Sequence, residues 1–144
     1  MKAALMAAAV LVATLAPAQA AEVEVKMLTR GAAGMMVFEP ALVQIEPGDS
    51  VRFVPVDSGH NAESIQNMIP EGAEPFKGGI GKEVVVTFDQ EGIYGYQCMP
   101  HYGMGMVGLV VVGNKEANLE AAQALKQRGK AAKTFETLFA DLGS

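Results

Sequence analysis

Short apolar runs, each closed by a turn residue, fill the chain from Ala21 to Gly113. Val23, Val25 and Met27 alternate with charged neighbours, the period-two pattern of a strand with one face buried. Met35 to Phe38 forms a second run, stopped by Pro40, and Leu42 to Ile45 a third. Glu46-Pro47-Gly48-Asp49 predicts a reversal, because Pro47 presets φ and Gly48 accepts the turn. Ser50 to Val56, Glu83 to Phe88, Ile93 to Gln97 and Met106 to Val112 complete the strands, with a short further one near His60 to Ser64. Residues 66 to 81 hold Pro70, Pro75 and four glycines, so they read as loop with room for one helical turn. Seven or eight strands of this kind predict an all-β fold, a Greek-key β-sandwich. Each half-buried strand needs a second sheet against which to bury its apolar face.

The period changes after Gly113. Residues 117 to 142 contain no proline and are rich in Ala, Leu, Glu and Lys, and Phe135, Leu138, Phe139 and Leu142 recur at helical spacing. Leu119, Ala122 and Leu125 make a weaker stripe before them, and Gly129 separates two predicted α-helices that cap the sandwich. At the other end, Met1-Lys2 followed by the uncharged run Ala3 to Leu15 and by Ala16-Pro17-Ala18-Gln19-Ala20 has the layout of a secretory signal peptide. The run is too short and too alanine-rich for a membrane span and is followed by no stop-transfer charge. Residues 1–20 are thus expected to be removed after Ala20, leaving 21–144 as a single domain with 114–144 as its helical extension, exported to the periplasm without membrane insertion.

Charge and composition narrow the chemistry. The 144 residues carry a formal net charge of −5, a poor match for nucleic acid. The negative charge sits in the strand region: residues 21–113 hold 5 basic and 12 acidic side chains, residues 114–144 hold 5 and 4. There are nine methionines, two histidines and one cysteine. A lone thiol in an oxidising compartment is exposed to oxidation unless it is buried, paired or bound to metal.

That thiol lies in Cys98-Met99-Pro100-His101-Tyr102-Gly103-Met104-Gly105-Met106, between two predicted strands, with Cys-x2-His-x4-Met spacing. The other histidine, His60, follows the turn Asp57-Ser58-Gly59. One Cys and two His in a plane with a weak axial Met describe a blue-copper electron-transfer site. Soft thiolate and thioether ligands suit Cu(I), and imidazole suits both Cu(I) and Cu(II). Spacing alone leaves Met104 and Met106 as rival axial ligands. A Cys–His nucleophile lacks a recognisable orienting Asn or Asp, and structural zinc sites rarely use Met.

The mature region resembles the pseudoazurins, small cupredoxins, along its whole length. The resemblance is carried by Met36-Val37-Phe38-Glu39-Pro40, Gly59-His60-Asn61, Met68-Ile69-Pro70, the Cys98-to-Met106 loop and the two C-terminal helices. It implies a cupredoxin-like sandwich holding one copper ion, cycling between Cu(I) and Cu(II), on His60, Cys98, His101 and Met106. It also implies that Asn61 ties the two ligand loops together, with its backbone N–H on the Cys98 sulfur. An apolar patch of Met36, Pro100 and Met104 around an exposed His101 edge would serve for partner docking. The implied function is single-electron transfer by a monomeric carrier without enzymatic turnover, from a cytochrome c-type donor to a copper nitrite reductase-type acceptor. A copper-handling chaperone or scavenger is the alternative. Ser58 and Gln97 stand where the resemblance leads one to expect lysine, so only Lys26, Arg30, Lys77 and Lys82 are left to form a basic rim.

Overall fold

A computed structural model describes residues 15–143. Except for Leu15, the apolar run of the expected leader lies outside the described residues, and residues 15–20 are exposed and without regular structure. Eight strands form: β1 (Glu22–Gly31), β2 (Gly34–Glu39), β3 (Leu42–Ile45), β4 (Ser50–Pro55), β5 (Glu63–Ser64), β6 (Val84–Thr87), β7 (Gly92–Gln97) and β8 (Val107–Val112). They make two four-stranded sheets, ordered β2-β1-β4-β6 and β3-β8-β7-β5. In each sheet one pair is parallel, β1 with β4 and β3 with β8, so the chain crosses between sheets instead of meandering within one.

Between the sheets lie Val25, Met27, Phe38, Val51, Phe53, Tyr94, Tyr96, Val110 and Val112, and at one end of this core Cys98 and Met106. The period-two rule explains the set: in β7 and β8 the even-numbered residues face inward. The odd-numbered Ile93, Val107, Leu109 and Val111 face outward yet are also buried, because Ala131, Phe135, Leu138 and Leu142 of the C-terminal extension cover them. That cover is why all six residues of β8 are buried. The extension comprises α1 (Leu119–Ala124) and α2 (Gly129–Gly143), and Gly129, expected as the separator, is instead the first residue of α2 at φ +57°. No helix among the described residues is long and apolar enough to cross a membrane.

The Glu46–Asp49 reversal is fastened by Asp49, whose carboxylate accepts the N–H of Ala21 at 2.7 Å and of Glu46 at 3.0 Å. These bonds, that from Ala21 foremost, hold its pKa below the ordinary 3.8. A depressed folded-state pKa gives stability that is present above the unfolded value and lost as pH falls through the folded one. Below pH 3.8 the urea midpoint of Asp49→Asn should therefore fall less steeply with acid than that of the parent chain.

Candidate metal centre

Two loops at one end of the sandwich bring the ligand-type side chains together. His60 follows Gly59, whose φ of +86° turns the chain inward after β4. Cys98 directly follows β7, and residues Met99–Met104 coil into a 3-10 segment before Gly105, at φ +88°, returns the chain to β8. The coil places the His101 N–H on the Cys98 carbonyl at 3.1 Å and the Met106 N–H on the His101 carbonyl at 3.2 Å. The Cys98 N–H meets the Met106 carbonyl at 3.0 Å and closes the loop at its base.

His60 Nδ1 and His101 Nδ1 lie 3.1 Å apart, and the Cys98 Sγ lies 3.7 Å from the first and 3.5 Å from the second. The centre of a triangle with these sides is about 2 Å from each corner, close to metal–nitrogen and metal–thiolate bond lengths of about 2.0–2.3 Å. Among the described residues these three form the one group of ligand-type His, Cys, Asp or Glu side chains able to hold a metal ion. The two nitrogens and one sulfur suit copper in either oxidation state.

The surroundings set the state of each donor. Thr29 Oγ1 lies 3.0 Å from His60 Nε2, an outer contact that leaves Nδ1 to face the triangle. Thr29 is itself held by the Asp57 carboxylate, which accepts its N–H at 2.7 Å. Burial pushes the His60 pKa down, so its ring is neutral and its lone pair available at neutral pH. Burial pushes the Cys98 thiol up, opposed by the backbone N–H groups of Asn61 and His101, which donate to the sulfur. A buried thiolate is costly without a cation beside it, so metal binding and loss of the thiol proton are coupled.

Met106 and Met104 are placed differently. Met106 is fully buried and shares the inner core with Cys98, whereas Met104 is 47% exposed. His101 is half-buried, and around it Met99, Pro100 and Met104 are exposed. Met36 is half-buried at φ +53° and packs on the core, while its neighbour Met35 takes the exposed position. Asn61 is buried, with its side-chain carbonyl accepting the Met99 N–H at 2.7 Å. Thr29 lies 31 residues from His60, and only the approach of β1 to the His60 loop brings it in, so no local pattern marks it. Tyr102 also reaches outward: its hydroxyl donates to Gln127 at 2.7 Å, tying the loop to the segment between α1 and α2.

Over residues 25–113 the chain matches the copper binding proteins of the plastocyanin/azurin family. It is 54% identical over 142 residues to the pseudoazurin of Methylorubrum extorquens, spanning 96% of each chain. It is 48% identical over 136 residues to that of Paracoccus pantotrophus, spanning 94% of each. Its fold matches the crystal structure of pseudoazurin from Methylobacterium extorquens AM1 with a TM-score of 0.81 at 55% identity, covering 84% of this chain and 98% of that one.

Proposed function

The chain belongs to the plastocyanin/azurin family of copper-binding proteins, within it to the pseudoazurins, and from that premise we propose how it carries electrons. Members of this family are blue copper electron-transfer proteins and not enzymes. The ligands are His60, Cys98, His101 and Met106. The observation that carries this assignment is the convergence of two imidazole nitrogens and one thiol sulfur on a single centre. Copper bound there supplies one-electron chemistry between Cu(I) and Cu(II). The protein's part is to hold the donors still: Thr29 fixes the His60 ring, and the closed 3-10 loop fixes Cys98 and His101. Ligands that move little on reduction keep the barrier to electron transfer low.

His101 is the exit point. His60 and Cys98 are buried, while the His101 ring is half-exposed within an apolar rim of Met99, Pro100 and Met104. A partner seated on that rim meets the imidazole edge without having to strip water from charged groups. Steering by a broad positive field is weak, since Arg52 is engaged by Glu22, Glu24 and Glu83 and neither Ser58 nor Gln97 is basic. We assign the carrier to the periplasm, exported by a leader cut after Ala20. There it works as a monomer between a cytochrome c-type donor and a copper nitrite reductase-type acceptor. Enclosure of Cys98 and His60 favours retention of copper over delivery. The copper-loaded mature chain should pass through repeated redox cycles beside a metal-free acceptor without losing metal. Transfer of copper within seconds would sink the carrier reading.

Burial argues for Met106, and against Met104, as the thioether that would complete the copper site. Met106→Leu should shift both the visible spectrum and the reduction potential of the copper protein, and Met104→Leu should move neither beyond measurement error. A larger spectral change in Met104→Leu would reverse the assignment.

A further inference from the structure

Asn61 and the ligand loop belong to a part-buried polar chain whose far end lies outside the metal centre. The Asn61 side-chain carbonyl accepts the Met99 N–H at 2.7 Å. Its amide nitrogen donates to the Gly78 carbonyl at 3.1 Å and to Glu63 Oε2 at 3.0 Å. The second carboxylate oxygen, Glu63 Oε1, accepts from Gln97 Nε2 at 3.0 Å. Glu63 and Gln97 face each other across the β5–β7 pair, so the register of the sheet sets the position of this carboxylate.

A side-chain amide has a donor end and an acceptor end of nearly the same shape. Turned over, the Asn61 amide would present its NH2 to the Met99 N–H, donor against donor. An ionised carboxylate only accepts, as does a peptide carbonyl. Glu63 and Gly78 therefore both demand the NH2 end, which leaves the carbonyl end for Met99. That N–H lies between Cys98 and His101 in the chain, where the loop begins to coil.

We propose that Glu63 is a positioning residue of the ligand loop: its carboxylate orients the Asn61 amide so that the amide carbonyl fastens the Met99 N–H. The fastening belongs to the polypeptide and operates in the metal-free chain. Its consequence for copper rests on the ligand set proposed above.

Amide hydrogen exchange of the metal-free mature chain separates the two. In Glu63→Ala the Met99 N–H should exchange about tenfold faster than in the parent, the protection of one lost hydrogen bond. Glu63→Gln keeps an acceptor oxygen toward Asn61, and Gln97 can turn its own amide to match, so most of the protection should return. Met99 exchange in Glu63→Ala within twofold of the parent overturns the proposal, as does Glu63→Gln exchanging as fast as Glu63→Ala. If Glu63→Ala does not fold, Gln97→Ala frees Oε1 while sparing the core and should give a smaller acceleration at the same amide. No acceleration there also overturns it. The copper spectrum of the parent chain tests the ligand set separately, so failure of one does not pass for failure of the other.

Discussion

Copper-loaded Cys98→Ser should lack the intense visible absorption of the parent protein. That band arises from charge transfer between thiolate sulfur and Cu(II), and Cys98 is the only cysteine in the chain. A serine hydroxyl is harder and far less acidic than a thiol, so it neither matches Cu(I) nor supplies a low-lying donor orbital to Cu(II). The substitution is close to isosteric, and the N–H groups of Asn61 and His101 that now donate to sulfur remain to satisfy the hydroxyl. The fold should therefore survive. Circular dichroism should match the parent, with a stability change of about 1 kcal/mol. Metal analysis beside the spectrum distinguishes weakened binding from a colourless bound ion, and either fits the thiolate's role. Retained absorption at parental strength would remove Cys98 from the ligand set and the electron-transfer mechanism with it.

The ligand loop was legible in the sequence because its chemistry is local. Cys98, His101 and both candidate methionines lie within nine residues, and His60 was the only other histidine to place. The strands followed from alternation, which is also local, and the termini of Leu42–Ile45 needed no revision. What escaped was set by distant partners. β1 runs on to Gly31 because β2 pairs with it as far as Gly34, although the apolar alternation stops earlier. Thr29 in that extension then reaches His60. Met104 and Met106 have the same side chain, and only their places relative to the β7–β8 pair give one the interior and the other the surface. Glu63 falls within the short strand expected near His60 to Ser64, and no sequence pattern sets it apart. Its link to Asn61 depends on the facing of β5 and β7, which no spacing in the chain encodes.

The facing of β7 and β8 makes Gly108→Ala the most damaging single-methyl change to expect in the core. Gly108 pairs with Tyr96 across β7 and β8, and both face inward. The Tyr96 ring is fully buried, with ring centroids 4.7 Å from Phe38 and 5.0 Å from Phe53, both edge-on. A Cβ at position 108 would overlap the phenol end of that ring and come within 2.7 Å of the Ala41 carbonyl oxygen. The ring cannot swing away without breaking its aromatic contacts, and the carbonyl belongs to backbone held by the Leu109 N–H at 2.8 Å. Overpacking against such rigid neighbours should lower unfolding free energy by about 3 kcal/mol in urea denaturation of the metal-free chain. Gly103→Ala is the control: its Cβ meets nothing within 4 Å, so the change should stay within about 0.5 kcal/mol. Because Gly108 follows Met106 by two residues on the same inward face, the strain should also reach the metal centre. Surviving Gly108→Ala protein should show a shifted copper spectrum, while Gly103→Ala, although inside the ligand loop itself, should keep the parental one. Parental stability in Gly108→Ala would mean that Tyr96 does not pack over β8 as described, and the inward placing of Met106 would lose its support.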